Sequence, residues 1–163
     1  MLIAANSLRD ISFGKLMEVY IEENQKNGQA MWPDEPDSRR LALAEQDFYN
    51  YLQQVFFRTP GARYFLWEEK SRYVSALRIE PYQDGLLLEA LETAPEYRKM
   101  GYAARLVQGV LERTGDAKVY SHVAKRNVPS LRVHEKCGFR RILDHAVYAD
   151  GSVSHVCCTL VHP

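Results

Sequence analysis

At 163 residues the chain is about one domain's worth, enough to bury roughly 70% of the surface its unfolded form exposes. Lys+Arg and Asp+Glu both number 21, so the formal charge is zero, and a general attraction to nucleic acid or to an anionic membrane is not expected. Three cysteines, Cys137, Cys157 and Cys158, lack metal-type spacing and argue against a zinc site or a disulfide framework.

The opening Met1 to Ala5 turns polar far short of a signal or a membrane span, which leads us to expect a soluble, cytoplasmic protein. One or two N-terminal strands precede a helix of about residues 10–26, in which Phe13, Leu16, Met17, Tyr20 and Ile21 repeat at helical spacing and Asn27-Gly28 reads as the stop. A polar, proline-punctuated loop, Met31 to Asp37, leads to a second helix marked by Leu41, Phe48, Leu52, Val55 and Phe56, ending before Pro60-Gly61. Arg63–Trp67 and Tyr73–Ile79 read as a hairpin turning at Glu68 to Ser71, and Leu86–Thr93 completes a meander closed by Ala94-Pro95.

The stretch Glu96 to Val107 joins that strand to a helix through a short basic loop. Ala103, Leu106, Val107, Val110 and Leu111 fall on one helical stripe that stops at Thr114-Gly115-Asp116. A helix start offers unpaired N–H groups and partial positive charge, Gly101 permits close backbone approach, and Arg98, Lys99 and Arg105 add cations. This is a site for a pyrophosphate. Gly-x-x-x-x-Gly-Lys-Ser/Thr is absent, which disfavours a phosphate-loop nucleotidase.

Lys118–Ala124 follows as a strand. A helix is opened by Pro129 and capped by Gly138, and Arg140–Tyr148 and Val153–Val161 flank the turn Ala149-Asp150-Gly151-Ser152. Cys157 and Cys158, adjacent in a strand, should face opposite ways. The order predicts a single α+β domain over 1–163, with six to seven mostly antiparallel strands, helices on both faces and one parallel pair.

Arg98-x-x-Gly101-x-Ala103 resembles the Gln/Arg-x-x-Gly-x-Gly/Ala signature of the GNAT superfamily of acetyl-CoA-dependent N-acetyltransferases. Asn127-Val128-Pro129-Ser130 running to Gly138-Phe139 is similar to that family's second marker, an Asn followed by a short helix ending in Gly-Phe. The resemblance spans about Tyr64 to the C-terminus. It implies an acceptor side in the helices of about 10–58 and a coenzyme-binding core of about 62–163, with the parallel strands splayed apart.

By the same resemblance, Arg98, Lys99, Met100, Gly101, Tyr102, Ala103 and Ala104 hold the pyrophosphate of acetyl-CoA, while Leu91 and Thr93 offer backbone groups to the pantetheine arm. Asn127 and Ser130 hold that arm from the helix. No metal is implied. The family's proton donor is a Tyr seven residues after the Asn; here that position is His134, either the donor to the departing thiolate or a ring filling its space. Glu89 and His122 stand where family members place the base that takes the amine proton. Glu92 is a third candidate, which alternation puts opposite Glu89 unless a bulge reverses its facing. Tyr120 and Tyr148 are spare phenols.

Met31 and Trp32 are expected to form an apolar lid, and Glu22, Glu23, Asp34, Glu35 and Asp37 a negative field for a cationic amine, diluted by Arg39 and Arg40. The acceptor is a small amine, an amino acid, or a protein N-terminus or lysine. A homodimer is left open. The implied reaction is acetyl transfer to a primary amine by direct attack in a ternary complex; the alternatives are a catalytically silent coenzyme A binder and a transferase using another acyl-CoA.

Overall fold

The computed structural model describes residues 1–163. Its elements run β1 (Leu2–Ala5), α1 (Phe13–Val19), α2 (Ile21–Met31), α3 (Asp37–Gln54), β2 (Arg63–Glu69), β3 (Arg72–Tyr82), β4 (Gly85–Thr93), α4 (Tyr102–Thr114), β5 (Val119–Ala124), α5 (Val128–Lys136), β6 (Arg140–Leu143), β7 (Ala146–Val147), β8 (Val153–Ser154) and β9 (Cys157–His162). Seven strands form one sheet in the order β1-β2-β3-β4-β5-β9-β6, and β7 and β8 form a separate ribbon. Only β4 and β5 are parallel, with α4 as their crossover.

Alternation along the strands sorts the core into two layers. Tyr64, Leu66 and Ala76 face α1, α3 and the turn after α3, where Leu16, Leu52 and Phe56 are wholly buried. Phe65, Leu77 and Ile79 face the opposite way onto Leu106, Val107 and Val110 of α4 and onto Phe139 after α5. The α+β expectation, with helices on both faces, is the fold observed.

The N-terminal helix differs from its expected form. It divides at Tyr20 (φ −95°, ψ 16°) into α1 and α2, and Asn27-Gly28 does not stop it, since α2 runs on to Met31. Gly28 serves packing instead: a Cβ there would lie 2.8 Å from the Arg40 carbonyl oxygen of α3, so its missing side chain lets the two helices touch. The second helix starts four residues earlier than its first marker, at Asp37 behind Pro36, and ends at Gln54 before a short 3₁₀ turn, Phe56–Arg58.

The β2–β3 hairpin is longer than read from sequence, because Lys70 (φ 47°) and Ser71 (φ 63°) make a two-residue turn. The C-terminal hairpin is broken in both arms. Its outer parts pair as β7 with β8, while β6 and β9 join the main sheet. Cys157 is partly exposed and Cys158 buried, as opposite facings require. No helix is long and apolar enough to cross a membrane.

Candidate active site

The parallel pair holds for three residues only, Leu86 to Leu88 against Val119 to Ser121. Beyond them β4 stays with β3 as far as Thr93 and β5 with β9 as far as Ala124, so the two strands fork. At the fork β4 carries a bulge. Ala76 pairs with Glu92 and Arg78 with Glu89, leaving Ala90 and Leu91 opposite the single residue Leu77, with Ala90 at φ 54°. The extra residue turns Glu92 to the side of Glu89, and both carboxylates line one cavity.

The bulge is held from behind. Tyr64 Oη donates to Tyr20 Oη at 2.7 Å, and Tyr20 Oη donates to the Ala90 carbonyl at 2.6 Å. Burial pushes the Tyr64 hydroxyl up to about 12 and the Tyr20 hydroxyl well above its ordinary value, so both keep their protons.

A cavity of about 460 Å³ opens between β4, the loop before α4, and α5. It is lined by ten of the eleven residues assigned to the coenzyme: Leu91, Thr93, Arg98, Lys99, Gly101, Tyr102, Ala103, Ala104, Asn127 and Ser130. Met100, 56% exposed, is the one left outside. Gly101 (φ 83°) leads into α4 without a side-chain cap, so the first N–H groups of that helix are open to an anion. Arg132 and Lys136 of α5 add two cations to the lining. Sequence reading passed over them, although their i,i+4 spacing beside Pro129 and Val133 was the available signal. With four cations and Glu92 as the sole carboxylate, the lining suits a diphosphate ester.

Arg98 does not point its charge outward. Its guanidinium donates to the Thr93 carbonyl at 3.1 Å and pairs with Glu22 at 2.7 Å and Glu92 at 3.2 Å, fastening α2 to the end of β4. The anion-facing contribution of this loop therefore falls to Lys99 and the backbone.

A second cavity, of about 500 Å³, lies on the other side of the fork and shares Leu91, Glu92, Asn127 and Ser130 with the first. Met31 lines it and Trp32 does not. The expected acidic field is mostly neutralised, since Glu22 is taken by Arg98, Glu35 by Arg39 and Asp37 by Arg40. Of that set only Glu23 reaches the cavity, where Asp47, Glu89 and Glu92 join it. The sole Lys or Arg side chain in the lining, Arg78, is paired with Glu89 at 3.0 Å and stacked on the Tyr51 ring.

His122 lines this cavity with its ring set edge-on between Tyr82 and Tyr148, centroids 5.3 and 5.4 Å away. Its Nε2 is buried without a hydrogen-bond partner, and burial lowers its pKa, so the ring is neutral at pH 7. His134, 1% exposed, is bonded on both nitrogens: Nε2 lies 2.9 Å from Ser121 Oγ and Nδ1 2.8 Å from the Ser130 carbonyl oxygen. Burial lowers its pKa too, against the opposing pull of that carbonyl. Asn127 Oδ1 caps α5 by accepting from the Ser130 N–H at 3.3 Å. Tyr120 bonds Asp84 instead of facing either cavity.

A mixed sheet forked at its parallel pair, with an uncapped helix start on one side and a carboxylate-bearing cavity on the other, is the architecture of an acetyltransferase. The sequence matches the Acetyltransferase (GNAT) family over residues 16–139, and the chain belongs to that family. No curated protein matches it.

Among solved structures it is similar to the ribosomal-protein-S18-alanine N-acetyltransferase of Escherichia coli, with a TM-score of 0.61 at 15% identity over 100% of this chain and 94% of that one. It is similar also to the PaiA N-acetyltransferase of Thermoplasma acidophilum in complex with coenzyme A, at 0.63 and 13% over 99% and 98%. A mutant of spermidine N-acetyltransferase from Vibrio cholerae gives 0.63 and 19% over 99% and 92%. At these identities the likeness is one of fold.

Proposed function

We propose that this protein transfers an acetyl group from acetyl-CoA to a primary amine by direct attack within a ternary complex. The observation that carries this reading is the meeting of the two cavities at Leu91, Glu92, Asn127 and Ser130, which brings a coenzyme tail and an acceptor amine head to head. Bound acetyl-CoA supplies the activated thioester. Backbone N–H groups from Lys99 to Ala104, with Lys99, Arg132 and Lys136, hold its phosphates, and the unpaired edge of β4 at Leu91 and Thr93 receives its amide-bearing arm opposite Asn127 and Ser130.

His122 takes the proton of the attacking amine. Its neutral ring and unpartnered Nε2 suit a general base. Glu89, tied to Arg78, contributes negative charge that favours a cationic amine in the cavity, and Glu92 adds its carboxylate at the junction. The acceptor is a compact amine bearing a second positive charge. Glu23 and Asp47, which make no ion pair, hold that charge while the reacting nitrogen is neutral; the names of the fold neighbours, a spermidine acetyltransferase among them, accord with amine acceptors.

Thiol release from acetyl-CoA, measured against a panel of monoamines, diamines and amino acids, tests this. We expect saturable, amine-dependent release with diamines ahead of monoamines of equal length. Coenzyme binding with no amine-dependent release from any of them would identify a silent binder instead, and a preference for propionyl- or succinyl-CoA would name a different donor.

A further inference from the structure

Ser121 and His134 meet at the root of the fork. Ser121 is the last residue of β5 paired with β4, opposite Leu88, and is 2% exposed. The carbonyl oxygen of Ser130 has no proton to give, so Nδ1 of His134, 2.8 Å away, must carry the N–H. Nε2 then presents a lone pair and accepts the Ser121 hydroxyl proton at 2.9 Å. Ser130 Oγ, at 3.4 Å from Nδ1, makes only a long secondary contact. The edge of the ring packs on Phe139, 5.0 Å between centroids. Every polar position on the imidazole is taken, in an orientation that leaves no N–H for a third group.

We propose that His134 is a positioning residue: together with Ser121 it pins α5 to β5 and fixes the width of the fork. The bond to the Ser130 carbonyl spans one turn of α5, and the bond to Ser121 crosses to the sheet, so the ring ties α5, the far wall of the coenzyme cavity, to β5, which lines the second cavity. Asn127 and Ser130, which border both cavities, are thereby held at a set distance from the free edge of β4. For His134 to protonate a departing thiolate it would first need a second proton on Nε2, displacing the Ser121 hydroxyl inside an apolar wall that opposes the charge. A proton for the sulfur comes more directly from water or from Ser130 Oγ at the junction.

The proposal rests on the acetyltransferase reading in its affinity and kinetic arms, and the tautomer of the ring is read independently of it. Nitrogen NMR of the histidine-labelled full chain should show His134 as the Nδ1–H tautomer, neutral and without titration from about pH 7.5 to 9. An Nε2–H tautomer, or a titration in that range, would overturn it. His134→Gln places a carbonyl near the Nε2 position, where it can accept from Ser121. It should keep coenzyme A affinity within about twofold, while His134→Phe and Ser121→Ala each weaken it about tenfold, the worth of one buried hydrogen bond. Ser121→Ala removes a single oxygen and answers the question where the Phe variant folds poorly. Wild-type affinity in both Ser121→Ala and His134→Phe contradicts the clamp. With an active acceptor, His134→Gln should retain its kcat and the shape of its pH profile; loss of the alkaline limb with a hundredfold or so fall in kcat would make the ring a proton donor after all.

Discussion

Tyr20, which lines the second cavity, shows how a side chain can govern a site by holding its backbone in place. Its hydroxyl accepts from Tyr64 and donates to the Ala90 carbonyl, so it secures the bulge that aims Glu92. Tyr20→Phe leaves two buried polar groups without partners and should cost about 2 kcal/mol of stability in a denaturant melt. Turnover should fall with coenzyme A affinity kept, because the phosphate cradle lies elsewhere. His122→Gln should lower kcat by roughly a hundredfold or more at unchanged coenzyme affinity, the usual size of a lost general base, in steady-state kinetics at saturating amine. At this scale the sequence was partly readable. Gly101, Asn127 and Pro129 announce their roles by residue type and spacing, whereas Arg98 carries the same motif yet spends its charge on Glu22 and Glu92, partners fixed only when α2 folds back on β4.

Among the elements, α2 was misread and α4 was not, and the reason is packing. The stripe of α4 lies against the sheet through Leu106, Val107 and Val110, all fully buried, so period and burial agree. In α2 the glycine that resembles a stop is a contact point with Arg40 of α3, something no local rule reports. Two substitutions separate the uses of glycine. Gly28→Ala should destabilise the fold by about 1–3 kcal/mol, since the methyl meets backbone, whereas Gly14→Ala in α1 has open space and should stabilise it by about 0.5–1 kcal/mol. Leu106→Ala, by emptying a fully buried site, should cost about 2–5 kcal/mol. Thermal or urea unfolding of the three variants checks the ranking. The bulge in β4 likewise had no certain sequence mark, and without it the facing of Glu92 was undecidable.

At the level of the whole molecule, two neutral histidines, the half-buried His122 and the buried His134, tie stability to pH. Folded pKa values of His122 and His134 lie below those of the unfolded chain, so the unfolded state binds more protons as the pH drops. Their contribution is fully present above the ordinary imidazole value of about 6.5 and is lost as the pH falls through the lower, folded values. Melting temperature should therefore hold steady from about pH 8 to 7 and decline below about pH 6.5, and the His122→Gln variant should decline less. The order of strands and helices was legible over most of the chain, because turn residues and apolar periods mark most junctions, but neither the division of the first helix at Tyr20 nor the break of the C-terminal hairpin into β6 to β9 carried such a mark. The two cavities were not, since their walls come from α2, α3, β4, β5 and α5 at once.

The central claim, that coenzyme and acceptor meet where the sheet forks, is tested most directly by a crystal structure with coenzyme A bound. The account predicts the diphosphate against the backbone of Lys99 to Ala104 and the sulfur beside Leu91, Glu92, Asn127 and Ser130, facing His122. A coenzyme seated away from the fork, or a sulfur pointing out to solvent, would contradict it.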